Sequence, residues 1–393
     1  MCKLKNNDNK KNKIYSVIIS YITIFNFMYL ENLYFTENIV MSISILLFLI
    51  AANLLIENKN KCIVFLLVLI GTFCYQGTIN LFITFYFLLE IIKNKKINKE
   101  LIKNMLIVIL ICISSILINI IQIKICGNIF NMTQTRMGGI NEILNNIVQI
   151  FKNMDLILIK NSELFPKYLL LVFLGIIVII TSIYDKIKQN KFVNLINIFL
   201  IIIVAIGSSV AINIFSLSSF GLGRMVFSVG ALIGFIFMYL YCRTYIFEEI
   251  KLKKILTIII IIYTIILIWN QMFIFYQHKL ANELDKAECK KVGEYIRKYE
   301  EENNIKVKKI CYCYDNDVEW YYKELIHNSL YTHRALMIWW CNIDAINFYN
   351  NLELEKVKMS GNVYKEYFEG KNWDELNEEQ FIFIDDTLYY CVY

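Results

Sequence analysis

One run, Cys62–Ile92, constrains this chain more than any other. It reads CIVFLLVLIGTFCYQGTINLFITFYFLLEII, with Lys59 and Lys61 before it and Lys93, Lys95, Lys96 and Lys99 after it. One membrane span takes about 20 apolar residues and two take about 40. The run is too long for one ordinary span and short for two. Lysine-rich flanks are held on the cytoplasmic side of a membrane, so both ends belong on one side and the chain must turn back. The turn falls near Gly71–Gly77, where two glycines and Gln76 interrupt the apolar sequence. A short hairpin results, with Tyr75 and Gln76 near its outer tip, a position suited to a site at the outer membrane face. The alternative is one long tilted helix with a buried glutamine. It would invert everything downstream and put Lys93–Lys103 outside, against the charge rule.

The rest of the chain fits a polytopic membrane protein. Hydrophobic residues make up 57% of its 393 positions, far above a soluble domain, and one proline, Pro166, leaves few helix breakers. The net charge of +6 sits largely in short lysine-rich loops, so topology explains it and a nucleic-acid partner is not expected. The start, Met1–Lys13, is polar and basic, and a long apolar run follows without a small-residue cleavage site, so no signal peptide is expected. Eleven cysteines are scattered; many, such as Cys112, lie in apolar runs and read as small hydrophobes. Cys311 and Cys313 form the only close pair. No ligand cluster accompanies them, and no disulfide framework can be deduced.

In order, the N-terminal lysines stay inside and Ile14–Leu30 crosses outward. Glu31–Glu37 forms an outer loop, and Ile39–Ile56 returns. The hairpin goes out and back, and Met105–Ile125 crosses outward. Cys126–Pro166 is a longer outer segment, within which Ile140–Ile159 has helical apolar spacing and reads as an amphipathic surface helix. Lys167–Tyr184 goes in, Phe192–Phe215 out, Met225–Phe247 in and Ile255–Tyr276 out. The count is about nine spans, with the N-terminus inside and the C-terminus outside. Residues 1–276 thus form a multi-span membrane domain.

From residue 277 acids and bases intermix and the apolar runs shorten. Residues 277–393 are long enough for a core of their own and read as an extracytoplasmic α/β domain. Asn282–Asn303 is expected to be an amphipathic helix with Leu284, Ala287, Val292 and Ile296 inward. Strands are expected over Ile305–Tyr314, Ala335–Cys341, Phe381–Ile384 and Leu388–Tyr393.

Polar groups at the membrane face are the candidates for chemistry. Arg224 follows Gly221 and Gly223 at the outer end of a span, where a guanidinium fork suits a lipid-linked phosphate; the bland role is an arginine snorkelling at a helix end. Arg136 is the next cation. Glu37 is the weak candidate for a base or a metal-assisting carboxylate, and Glu31 ranks below it; a solvated loop acid is the favoured reading of both. Tyr75 and Gln76 suit hydrogen bonds to a sugar, or simple packing. His278, His327 and His333 lack metal-ligand spacing. Asp385–Asp386 reads as the turn after a strand. There is no P-loop and no dinucleotide glycine pattern.

Phe35-Thr-Glu-Asn-Ile-Val-Met41 leading into a span, Cys74-Tyr-Gln76 in a hairpin and an outer Arg224 opening a late span together resemble the bacterial type II Gtr glucosyltransferases of O-antigen and related surface glycans. That family belongs to the GT-C class of polytopic glycosyltransferases. The resemblance implies an enzyme of the bacterial cytoplasmic membrane that takes a hexose, glucose in this family, from a polyprenyl-phosphate carrier and transfers it to a surface glycan. It implies that Arg224 and Arg136 stabilise the departing lipid phosphate and that Tyr75, Gln76 and Glu37 line the sugar pocket. No cofactor is expected, although a divalent cation is compatible with the chemistry. The class usually carries its catalytic acid in a long first outer loop. Here that loop is only Glu31–Asn38 and holds no Asp. The expectation is therefore a chain that lacks the catalytic-loop region, as a truncated form, an inactive relative or one of two partner chains. The rivals are a non-catalytic membrane scaffold and a lipid or solute transporter. A transporter would favour charges deep in its spans and an internal repeat, neither of which is evident.

Overall fold

The computed structural model describes residues 10–34, 38–94, 98–130, 142–189, 191–215, 217, 220–247, 250–329 and 331–393. They are mostly helical, in the order α1 (Lys10–Ile24), α2 (Leu30–Leu33), α3 (Asn38–Ile56), α4 (Lys61–Tyr75), α5 (Asn80–Asn94), α6 (Lys99–Ile129), α7 (Ile143–Lys152), α8 (Met154–Leu158), α9 (Leu169–Ile187), α10 (Val193–Ala211), α11 (Phe227–Gly230), α12 (Leu232–Phe247) and α13 (Ile250–Asn303). Strand β1 (Lys309–Tyr314), α14 (Asn342–Asn350), β2 (Glu355–Lys356), β3 (Phe381–Ile384) and β4 (Thr387–Val392) follow. The chain divides into two compact units, Met1–Gln271 and Met272–Tyr393.

The first unit is a bundle built to meet lipid. Among the described residues, six helices are long and apolar enough to cross a membrane, seven if the bent pair Lys13–Ile24 and Phe27–Leu33 is one span. Along α6, Leu106, Leu110, Ile113, Leu117 and Ile121 are exposed while Val108, Cys112 and Ser115 are buried. Such an apolar outer surface belongs in a bilayer. The nine-span reading also counts α5, with 15 residues, and α12, with 16, both under the length of an ordinary span.

The expected break in Cys62–Ile92 is present: α4 ends at Tyr75, a tight turn covers Gln76–Thr78, and α5 begins at Asn80. The chain reverses there, and both arms pack on α3. Near the turn, Ser44 early in α3 donates to the Tyr75 carbonyl at 3.0 Å. At the far end of α5, Lys93 donates to the carbonyl of Ile56, the last residue of α3.

Three expectations for the spans need correction. The segment expected to cross over Ile14–Leu30 is not one helix: it bends by 51° after Ile24. Met225–Phe247 is likewise broken, into a turn at Gly223–Met225, α11 and α12. Ile255–Tyr276 and Asn282–Asn303, expected as two helices, are one helix of 54 residues. Nothing between them breaks a helix, because neither proline nor glycine occurs from residue 250 to residue 292.

The second unit covers a four-stranded sheet with the C-terminal half of α13. The order is β2-β1-β4-β3; β1 is parallel to both β2 and β4, and β3 is antiparallel to β4. Cys289, Val292 and Ile296 of α13 pack with Ile310, Leu336, Ile346, Leu388 and Tyr390. Ala287, expected inward, is exposed; Asp285 and Glu288 are buried instead. Ala335–Cys341 is not a strand. Its first residues form a short turn, because the Ala335 N–H donates to Asp285 at 2.7 Å and so cannot join a ladder. Asp385 and Asp386 make the β3–β4 turn, Asp385 with φ of 51° and Asp386 paired with Lys309 at 3.3 Å.

Candidate functional site

The site begins with an asparagine in an apolar run. Asn26 ends α1 and caps the turn that follows: its Oδ1 accepts from the Met28 N–H at 2.9 Å, and its Nδ2 donates to the Thr23 carbonyl. A short side chain that satisfies the backbone locally favours a break over helix continuation. The Phe25 carbonyl freed by the bend accepts from Gln271 Nε2 at 2.6 Å. Glycines opposite make room. A Cβ on Gly230 would lie 2.1 Å from Asn26 Oδ1, and one on Gly234 would lie 2.3 Å from Thr23 Oγ1.

The bend delivers Glu31, on α2, into the bundle, where it is fully buried. There it meets Arg224. The Arg224 backbone N–H donates to Glu31 Oε2 at 2.7 Å, and its guanidinium donates to Oε1 at 2.5 Å. Gly223 permits this approach: a Cβ there would lie 2.7 Å from Leu164 and 3.0 Å from Glu31 Oε2. Leu164 belongs to a tight segment in which Asn161, Ser162 and Glu163 all have positive φ. Asn161 Nδ2 donates to the Pro166 carbonyl at 2.9 Å, and Phe165 stacks on Phe27 with ring centres 4.6 Å apart. The Gly223–Met225 turn is held from its other side as well. Asn80 Nδ2 donates to the Met225 carbonyl at 2.8 Å, and the Tyr75 hydroxyl points at Met225 Sδ from 3.5 Å.

This arrangement places a carboxylate and a guanidinium side by side, the first enclosed and the second reaching solvent or lipid through 17% of its side chain. A carboxylate is an acceptor for hydroxyl protons, and a guanidinium is a fork for phosphate or carboxylate oxygens. Beside Glu31, Asn32 is also fully buried, and among the described residues neither its amide oxygen nor its nitrogen has a hydrogen-bond partner. The Asn80 Oδ1 and the Ser228 hydroxyl are likewise buried without one. Buried polar atoms are normally satisfied, so Asn32, next to Glu31 in sequence, and Asn80, bonded to the carbonyl of Met225 next to Arg224, offer capacity for water or a polar ligand.

Of the residues singled out from sequence, Arg224 and Tyr75 come together around Met225. Gln76 is half-buried in the adjoining turn. Glu37 and Arg136 lie outside the described residues. Glu31, ranked below Glu37 on sequence, is the acid that meets Arg224; the signal was Asn26, a polar residue breaking the apolar run just ahead of it. Among the described residues no group of three or more His, Cys, Asp or Glu is placed to hold a metal.

The opposite end of the bundle has its own polar networks. Asp185, at the end of α9, accepts from Asn194 and from the Leu195 N–H, capping α10. Tyr239 joins Asn194, Asn197 and Arg243 around its hydroxyl. Glu90 accepts from Tyr86 and Asn104. These groups bond one another, and Asn194 and Arg243 also line a small pocket with Tyr184 and Leu240. Comparison with family models, with curated proteins and with solved structures finds no match to this chain.

Proposed function

We propose that this chain is a membrane glycosyltransferase of the GT-C type. It takes a hexose, glucose by its resemblance to the Gtr enzymes, from a polyprenyl-phosphate donor and transfers it to a surface glycan at the outer face of a bacterial cytoplasmic membrane. The observation that carries this reading is the buried Glu31–Arg224 pair, set among broken helix ends with orphaned polar side chains next to it. In the proposed reaction an acceptor hydroxyl attacks the anomeric carbon as the bond to the lipid phosphate breaks, with inversion. The hydroxyl proton passes to the Glu31 carboxylate, and the charge left on the phosphate is met by the Arg224 guanidinium. Tyr75 and Gln76 flank the sugar, and Arg136 and Glu37 complete the face. About nine spans with the N-terminus inside would bring these groups to the outer leaflet, with residues 277–393 on the same side.

A second reading has its own support. Both Glu31 oxygens already accept from Arg224, so the pair also works as a clamp between broken helices. The chain is then a non-catalytic scaffold.

Transfer from a radiolabelled glucosyl polyprenyl phosphate, measured in membranes holding the chain, separates the two. The enzyme reading expects transfer by the unaltered chain and its loss in Glu31→Gln and Arg224→Ala, with membrane insertion intact. Normal transfer by either variant removes that residue from the site. Absence of transfer by the unaltered chain, alone and with any partner chain, leaves the scaffold.

A further inference from the structure

We propose that the turn bearing Trp339 and Trp340 is a lipid anchor that seats in the headgroup region of an anionic bilayer. The turn has a rigid base. Leu336 and Met337 before it, and Ile343 and Ile346 after it, are all in the core of the second unit. The Cys341 and Asn342 N–H groups both donate to the Ile338 carbonyl at 3.0 Å, and the Ala335 N–H is fixed by Asp285. Between these buried residues the chain turns its two largest side chains outward: Trp339 is 74% exposed and Trp340 61%. A tryptophan ordinarily covers some 150–250 Å² of apolar contact. Two adjacent ones left open on a fixed turn form a surface that asks for an occupant.

Three observations make that occupant lipid. An indole has an apolar body and one N–H donor, the combination that collects at the level of membrane headgroups. Lys356 donates to the Trp339 carbonyl at 3.0 Å, which sets an ammonium beside the indoles, where lipid phosphates would lie. Glu355 next to it is exposed as well, so the cation offered to lipid is the single Lys356 ammonium held at the Trp339 carbonyl. Finally, six helices among the described residues are long and apolar enough to cross a bilayer, which tethers the second unit to lipid. Covalent attachment to the membrane helices makes the contact intramolecular, so two indoles and one lysine suffice.

The test uses the full chain with Trp269→Phe, Trp320→Phe and Trp373→Phe, which leaves Trp339 and Trp340 as the only tryptophans. It is reconstituted in vesicles of phosphatidylcholine and phosphatidylglycerol. The anchor expects blue-shifted emission, loss of most of it when the acyl chains are brominated near the headgroups, and little quenching by aqueous iodide. Lys356→Gln should weaken the bromolipid quenching in vesicles containing phosphatidylglycerol and leave it unchanged in phosphatidylcholine alone; an equal effect in both overturns the charge contribution. Water-like emission quenched by iodide overturns the anchor, as does emission shielded from both quenchers, which would mean a protein partner or a second copy. Should the triple variant fold poorly, the same quenching is compared between the unaltered chain and Trp339→Phe/Trp340→Phe. A smaller quenched signal in the double variant supports the anchor, and equal signals overturn it. The glycosyltransferase reading has no bearing on either result.

Discussion

Among the described residues, each unit of this protein buries a glutamate–arginine pair, and the two pairs are finished differently. In the second unit, Arg334 and Glu288 are 2.6 Å apart with side chains only 2% and 4% exposed. Tyr322 donates to both Glu288 and Asp285 at 2.8 Å, Arg334 also donates to the carbonyls of Glu319 and Tyr393, and the Tyr393 ring lies 4.3 Å from the guanidinium. Both terminal guanidinium nitrogens of Arg334 are used, only its Nε is buried without a partner among the described residues, and the Tyr322 and Tyr393 rings lie against the guanidinium. In the first unit Glu31 is as deeply buried, but Arg224 is partly open and the neighbouring Asn32 side chain has no hydrogen-bond partner among the described residues. A buried ion pair costs desolvation whatever its purpose. The enclosed pair recovers that cost within the fold and orders a core. The open pair leaves polar capacity next to a charge, which is the arrangement a binding site needs.

Breaking the enclosed pair should have the largest effect. Arg334→Leu leaves Glu288 buried without its cation, and we expect about 3–5 kcal/mol of lost stability in the second unit. Urea unfolding of the full chain in detergent, followed by tryptophan emission, reads this directly; a loss under about 1 kcal/mol would mean the enclosure is far looser than described. Next comes the packing that brings the open pair together. Gly230→Ala, whose added methyl would collide with Asn26 and Met28, should cost about 1–3 kcal/mol, seen as a lower melting temperature in detergent.

Glu31→Gln should be milder for the fold than Arg334→Leu, at about 1–2 kcal/mol, because Arg224 is partly solvated and a glutamine oxygen can still accept. Equal destabilisation by these two variants would erase the distinction between the pairs. Tyr75→Phe removes a hydroxyl whose contact with Met225 Sδ is long and should cost less than about 1 kcal/mol; a larger loss would show that Tyr75 anchors the Met225 turn.

A pH prediction sharpens the contrast. Burial pushes the Asp285 carboxyl up to about 6 from 3.8, with Glu288 adding to the rise and the Ala335 N–H, Tyr322 and Arg334 opposing it. Between those values the folded form holds a proton that the unfolded form releases. The stabilising contribution is therefore complete below pH 3.8 and is lost as pH rises through about 6. Asp285→Asn should flatten this part of the stability–pH curve. An unchanged slope would assign it to another group.

Much of this architecture was legible in the sequence, for a definite reason. Leu169–Ile187 and Val193–Ala211 lie within a few residues of the runs Lys167–Tyr184 and Phe192–Phe215, because hydrocarbon thickness and backbone satisfaction leave an apolar run few alternatives. The strand Phe381–Ile384 and the Asp385–Asp386 turn were legible because local propensity and turn chemistry agree there. The bend at Asn26 was not. Its cause is shared between a local cap and glycines some two hundred residues away, and periodicity carries no such information. The pairing of Glu31 with Arg224 was hidden for the same reason. Asp285 and Glu288 look like a solvated helix face until Arg334 and Tyr322 are seen folded over them.

The first helix has a further consequence, one of timing. Tyr15 bonds Thr257, the Tyr21 hydroxyl and the Phe25 carbonyl both bond Gln271, and Glu31 pairs with Arg224, partners 193 to 250 positions further along the chain. A ribosome adds about 5–20 residues per second, so the early segment waits on the order of ten seconds or more before these partners are synthesised. Through that interval a carboxylate and a bare carbonyl have no native partner. The newborn protein is at its most vulnerable then, and a stalled or shortened message would leave its opening helix unable to settle.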